Sequence, residues 1–166
     1  MASGDTLLVF TASANVPPAS DFATLDTRNT TTPHLVLDFD ATTNEDAVFE
    51  GLLPRNYDGG GLTVYLHYAM STATSGDIDW DAAFERIGDQ QQNLDTDGFA
   101  SPQSVNNTTV PGTSGLVGIV SIPFTDGAQI DNIAVGEAFR LKVTRDAASD
   151  TAAGDAELIR VEIKET

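Results

Sequence analysis

Two histidines, 25 carboxylates and no cysteine are the reactive groups of this 166-residue chain. His34 and His67 each sit in a run that alternates like a strand, with no serine or carboxylate motif beside them. A Ser-His-Asp set converges only in space, so its absence from the linear order decides nothing by itself. The esterase elbow does have a linear signature, G-x-S-x-G, and Gly112-Thr113-Ser114-Gly115-Leu116 lacks its last glycine. Both histidines are therefore read as structural or surface residues.

Asn93-Leu94-Asp95-Thr96-Asp97-Gly98 copies the first half of a calcium loop, with oxygen ligands at positions one, three and five and glycine at six. Position twelve is Ser104, where that loop needs a bidentate glutamate, so a polar turn is the better reading. Asp77, Asp79 and Asp81 leave one strand face at intervals of roughly 6.6 Å, too far apart to hold one ion together. They read as a solvated outer face. Nothing among the many acids selects a glycosidase pair. The expectation is a protein that is not an enzyme, with no catalytic residue, no cofactor and no metal. A sugar-binding shelf would need an exposed aromatic, for which Trp80 and Tyr65 are the candidates. Trp80 shares its phase with Ile78 and Phe84, which favours the core.

Composition narrows the partners. The formal net charge is −17, which disfavours nucleic acid and anionic membrane surfaces. Without cysteine there is neither a disulfide framework nor a thiolate zinc site. No run approaches transmembrane length, and the N-terminus does not read as a signal peptide. The Asn-x-Thr triplets at Asn29, Asn106 and Asn107 are then ordinary loop residues. Arg140, Lys142, Arg145, Arg160 and Lys164 crowd the C-terminal part, where cross-strand pairing with acids would hold them.

Strands must position all of these groups. Residues 62–70, LTVYLHYAM, put Leu62, Val64, Leu66, Tyr68 and Met70 on one face over nine positions, after a glycine turn at 59–61. Residues 34–40, 46–53, 115–124, 138–145 and 157–164 follow the same period, the last with Ile159, Val161 and Ile163 inward. Residues 77–87 contain helix formers, yet Ile78, Trp80, Ala82 and Phe84 alternate without a break, which a helical register would scatter. Weaker strands are expected at 6–10 and 103–110, no regular element over 11–28, and one helical turn over 125–132 with Ile130 and Ile133 inward. Pro123 suggests an edge. Eight or nine short strands with almost no helix make an all-β fold, an antiparallel two-sheet β-sandwich of jelly-roll type, with 62–70 and 157–164 as inner strands. Residues 1–18 read as an extended N-terminal arm and 19–166 as a single β-sandwich domain.

The segments LDTRN (25–29), HLVLDFDATTNEDAVFEGLLPRNYDGGGLTVYLHYA (34–69), FER (84–86), GEAFRLKVTRD (136–146) and GDAELIRVEI (154–163) together resemble small β-sandwich proteins encoded among the structural genes of tailed bacteriophages and prophages. The resemblance implies a non-enzymatic virion component. Such proteins are often capsid decoration, or cement, proteins, so it implies a chain made in the bacterial host cytoplasm that binds the major capsid protein on the capsid exterior and stabilises the shell. A receptor- or glycan-binding adhesin or tail-fibre module is the alternative.

Assembly is read from the arm. Leu7, Leu8, Val9 and Phe10 would be apolar on both faces of a strand, and Val16, Pro17 and Pro18 continue it as extended chain. One sheet covers only one face of such a strand. These seven residues are therefore the expected assembly interface of a homo-oligomer, with a trimer favoured.

Overall fold

The structure, a computed structural model, describes residues 4–166, so the first three residues of the expected arm lie outside the described residues. Alternation gives ten strands: β1 (Thr6–Thr11), β2 (Thr24–Arg28), β3 (His34–Phe39), β4 (Glu45–Leu52), β5 (Leu62–Met70), β6 (Asp77–Ile87), β7 (Gln103–Thr109), β8 (Val117–Phe124), β9 (Ala138–Arg145) and β10 (Ala156–Glu165). Single 3-10 turns at Ala12–Ala14 and Ala128–Ile130 are the helical content of the described residues. One sheet runs β2-β3-β10-β5-β8, and the other β4-β9-β6-β7. The strand pairings are antiparallel throughout. Along one edge of β10, β3 pairs with Ala156 to Leu158 and β1 takes over from Arg160 to Lys164.

The two inner faces form one core. Leu62, Val64, Leu66, Tyr68 and Met70 of β5 belong to the same cluster as Ile78, Trp80, Ala82 and Phe84 of β6 and Phe139, Leu141 and Val143 of β9. Trp80 is 0% exposed, with Phe39 and Tyr68 edge-on to it at 5.1 and 5.8 Å between centroids. Truncating an aromatic so placed costs about 3–5 kcal/mol. Gly118 of β8 stands opposite Tyr68, and a Cβ there would lie 3.0 Å from the tyrosine ring, so the ring fits only beside a residue without a side chain.

Four expectations need correction. Residues 24–28 form an edge strand, although TLDTR shows no apolar alternation; it is held by its five-residue pairing with β3. The segment before it, expected to hold no regular element, opens with the 3-10 turn Ala12–Ala14 and then seals the open edge of β4. Val16 N–H donates to Val48 O (2.7 Å), Val48 N–H to Asn15 Oδ1 (2.9 Å), and Ala23 N–H to Asp46 O (3.0 Å). Ile159 does not join the inner row, because the register slips between Leu158 and Arg160. This bulge adds a residue, so Leu158, Val161 and Ile163 face inward while Ile159 does not. Finally, Asp79 is not solvated: it is 5% exposed, and its Oδ1 accepts the Asn107 N–H at 2.5 Å. Asn107 has φ +54° beside a register slip between β6 and β7, a conformation asparagine tolerates.

Candidate functional site on the four-stranded sheet

The outer face of β4-β9-β6-β7 follows from strand register, since residues directly opposite one another share a face. Its rows are Asp46–Thr144–Asp81–Ser104, Val48–Lys142–Ala83 and Glu50–Arg140–Glu85. The chain from Phe99 to Pro102 forms a wall on this face. Ala100 N–H donates to Phe84 O at 2.8 Å, tying the wall to the edge of β6. The Phe99 ring lies beside two cations, the Arg140 guanidinium 5.1 Å and the Lys142 ammonium 5.4 Å from its centroid. Such contacts hold the ring in place.

Between this wall and the Asp46–Lys142 pair runs a trough of about 420 Å³, with Ala82 and Ala83 among its lining and Asp81, Ser101 and Thr144 supplying polar groups. Charges on this face are largely matched. Beyond the trough, Glu85, 1% exposed, accepts from Arg140 Nε at 2.7 Å. Lys142 Nζ stands 3.6 Å from Asp46 Oδ2, and the Thr144 hydroxyl donates to Asp46 Oδ1. The Asp81 side chain, by contrast, is half-buried and makes no hydrogen bond or ion pair among the described residues. A flat ring, one uncommitted carboxylate and two hydroxyls, in a trough of ligand size, can hold a polyhydroxylated molecule by stacking and hydrogen bonding. Neither histidine lies on this sheet.

The residues singled out from sequence fall elsewhere. Trp80 is core, and Tyr65 is half-buried on the outer face of the other sheet with Lys164 Nζ 5.0 Å from its ring centroid. The half calcium loop spends its oxygens on its own backbone: Asn93 Oδ1 accepts from Asp95 N–H, and Asp97 Oδ2 from Asn93 N–H. No group of three His, Asp or Glu side chains among the described residues could hold a metal ion. Of the seven expected interface residues, Phe10 is buried in its own core, stacked on Phe49 at 5.4 Å, and Leu7 and Leu8 pack partly against that core. Thus Thr6–Thr11 is a strand of the six-stranded sheet and not an arm that leaves it. Val9 faces outward, while Val16 and Pro17 are exposed and Pro18 half-buried. The ring that matters for the trough, Phe99, follows a polar loop and carries no periodic signal; only its being an aromatic after the turn Asp97-Gly98 could have drawn attention to it.

An acidic cup lies at one end of the sandwich. Asp38, Asp40, Glu45, Asp155 and Thr24 line about 130 Å³. Burial pushes the Asp38 carboxyl up to about 6, and Asp155, Asp26 and Glu45 push the same way, against Arg145. Its Oδ1 is buried without a hydrogen-bond partner.

No family model matches the chain, and no curated protein matches its sequence. Solved structures do. A family 35 carbohydrate binding module from an environmental isolate aligns with a TM-score of 0.55 at 11% identity, over 96% of this chain and 94% of that one. The C-terminal CBM6 of a marine laminarinase from Zobellia galactanivorans gives 0.51 at 10%, over 97% and 100%. Xyl-CBM35 in complex with a glucuronic acid containing disaccharide gives 0.51 at 12%, over 96% and 94%. What the chain shares with them is the fold. The antiparallel two-sheet sandwich expected from the sequence is therefore both observed directly and matched along nearly the whole chain.

Proposed function

We propose that the chain is a non-catalytic glycan-binding module and that the glycan lies in the trough beside Phe99. One observation carries this reading: the aromatic ring of the wall stands in the same trough as an uncommitted carboxylate, Asp81, and the hydroxyls of Ser101 and Thr144. A pyranose offers C–H bonds on its faces and hydroxyls at its rim, so ring and polar groups would divide the contact between them. The carboxylates of Asp81 and Asp46 outnumber the one ammonium lining the trough, and the chain as a whole is strongly negative. Neutral oligosaccharides fit that field better than uronate-rich ones. The fold neighbours are named as carbohydrate-binding modules, which supports the ligand class. A place on a virion exterior, bound to the major capsid protein, would suit such a module as well and rests on the sequence resemblance alone.

A glycan array followed by calorimetric titration tests the reading. Phe99→Ala and Asp81→Ala are each expected to weaken binding at least ~10-fold, the loss of about 1.4 kcal/mol of contact, with the circular dichroism spectrum unchanged. Absence of binding to any neutral glycan, or binding indifferent to both substitutions, would overturn it.

A further inference from the structure

The outer face of the six-stranded sheet has no wall. Across β1, β10, β5 and β8 it presents one row of Thr11, Arg160, His67 and Ile119 and a neighbouring row of Val9, Glu162, Tyr65 and Ser121. Val9 is 51% exposed and Ile119 58%, two large aliphatic groups left in water at opposite flanks. Between them runs a polar stripe with an unusual balance for this chain. Arg160 and Lys164 outnumber the one carboxylate, Glu162, on a protein of net charge −17.

The stripe is also incompletely paired. Arg28, Arg86, Arg140, Lys142, Arg145 and Lys164 each have a carboxylate within ion-pair reach. Arg160 is exposed and has none among the described residues. Glu162 is held below the usual carboxylate range by the Thr6 hydroxyl, helped by Lys164 and His67. Its Oε2 nevertheless has only the His67 Nε2 nearby, at 3.7 Å, which is beyond hydrogen-bond length and leaves the oxygen able to accept.

We propose that this face docks a second copy of the same chain, about a two-fold axis lying across the strands midway between the two rows. Rotation about that axis exchanges the rows, so Arg160 of each copy meets Glu162 of the other, and the contact forms twice. His67 falls opposite Tyr65, and Ile119 opposite Ser121. A two-fold interface must be self-complementary, and adjacent rows of opposite charge meet that condition. An acidic glycan or an unrelated acidic protein would use Arg160 and Lys164 but would be repelled by the carboxylate between them. Two copies of a strongly negative chain repel over most of their surface, and a stripe with two cations to one carboxylate offsets that repulsion. Four strands by about 20 Å give a footprint of roughly 400 Å² per copy, below the ~800 Å² of a standard interface, so the dimer is weak.

Sedimentation velocity on the full chain over micromolar to millimolar concentrations tests this. The expected result is a monomer–dimer equilibrium that Arg160→Glu and Glu162→Arg each weaken at least ~10-fold, and that the double exchange Arg160→Glu/Glu162→Arg restores to within about threefold, since each copy then offers the same pair reversed. Ile119→Asp, at an exposed position that does not hold the fold together, is expected to weaken it too. A monomer at every concentration, a trimer, a dimer indifferent to Arg160→Glu and Ile119→Asp, or a double exchange that recovers nothing would each overturn the proposal. So would binding of a uronate oligosaccharide that Arg160→Glu abolishes in a chain that stays monomeric.

Discussion

Arg145 and Asp38 lie at the same end of the sandwich and keep charge out of water in opposite ways. Arg145 is 0% exposed, yet its donors are met: Nε by Asp150 Oδ2 at 2.8 Å, Nη1 by Phe39 O and Gly154 O at 3.1 and 3.0 Å, and Nη2 by Ala152 O at 3.2 Å. The loop from residue 146 to 155 is folded around it. Asp38 is pushed up to about 6 by burial first and by the like charges around it second, and one of its oxygens has no partner. A buried cation with an acceptor at each of its nitrogens organises chain, whereas a carboxylate half-buried beside other carboxylates gives up its charge instead.

The largest effect is expected at Arg145. Arg145→Met strands the Asp150 side chain, 2% exposed, and leaves three carbonyls without donors. Breaking a buried pair from one side costs about 3–5 kcal/mol, or roughly 6–20 °C in melting temperature for a domain of this size. Scanning calorimetry measures it, and a loss under about 1 kcal/mol would mean that water replaces the guanidinium.

Asp38→Asn should act more mildly and in the other direction. Asp38 holds its proton more tightly folded, at about 6, than in the unfolded chain, at 3.8. Its contribution to stability is complete below pH 4 and is lost as pH rises through 6. Asparagine has no proton to lose, so the variant should gain on the wild type from pH 4 to pH 8. At about 1.4 kcal/mol per pH unit, discounted for partial solvent contact, the gain is about 1–2 kcal/mol. Denaturant titrations at the two pH values decide it; a variant equally stable relative to wild type at both would show that Asp38 does not titrate in that window.

The smallest effect is expected at Lys142, whose 3.6 Å pair with Asp46 lies on the surface. Lys142→Met should change stability by less than about 0.5 kcal/mol in the same kind of denaturant titration. A loss above 1.5 kcal/mol would place this exposed pair with Arg145 and erase the contrast between met and unmet burial.

Strict alternation made β5, β6 and β9 legible, including the preference of strand over helix at 77–87 and the inward Trp80. The same rule, carried two residues past Val143, also puts Arg145 on the inner face. It went unread because a cation ordinarily ends such a pattern. Other features had no period to read. TLDTR is an edge strand defined by its partner, and Ile159 is displaced by a bulge that apolar phase cannot reveal. Asp79 is buried by an asparagine turn on a neighbouring strand. The trough was invisible for the same reason: its floor comes from β6 and its ring from a loop, and only the pairing of β6 with residue 100 brings them together.

β10 runs through the middle of the six-stranded sheet, flanked on one side by β3 and β1 and on the other by β5. On a ribosome, the strands that emerge first therefore wait with unpaired edges until residues 156–165 have been made. Their bonds to β1 span some 150 positions of chain, and topologies so rich in distant pairings close in milliseconds to seconds, not microseconds. During that interval the apolar faces of β3 and β5 are open to other nascent chains. Expression yield should accordingly depend on how quickly β10 arrives, and slow translation of the codons for residues 156–165 would favour aggregation over folding.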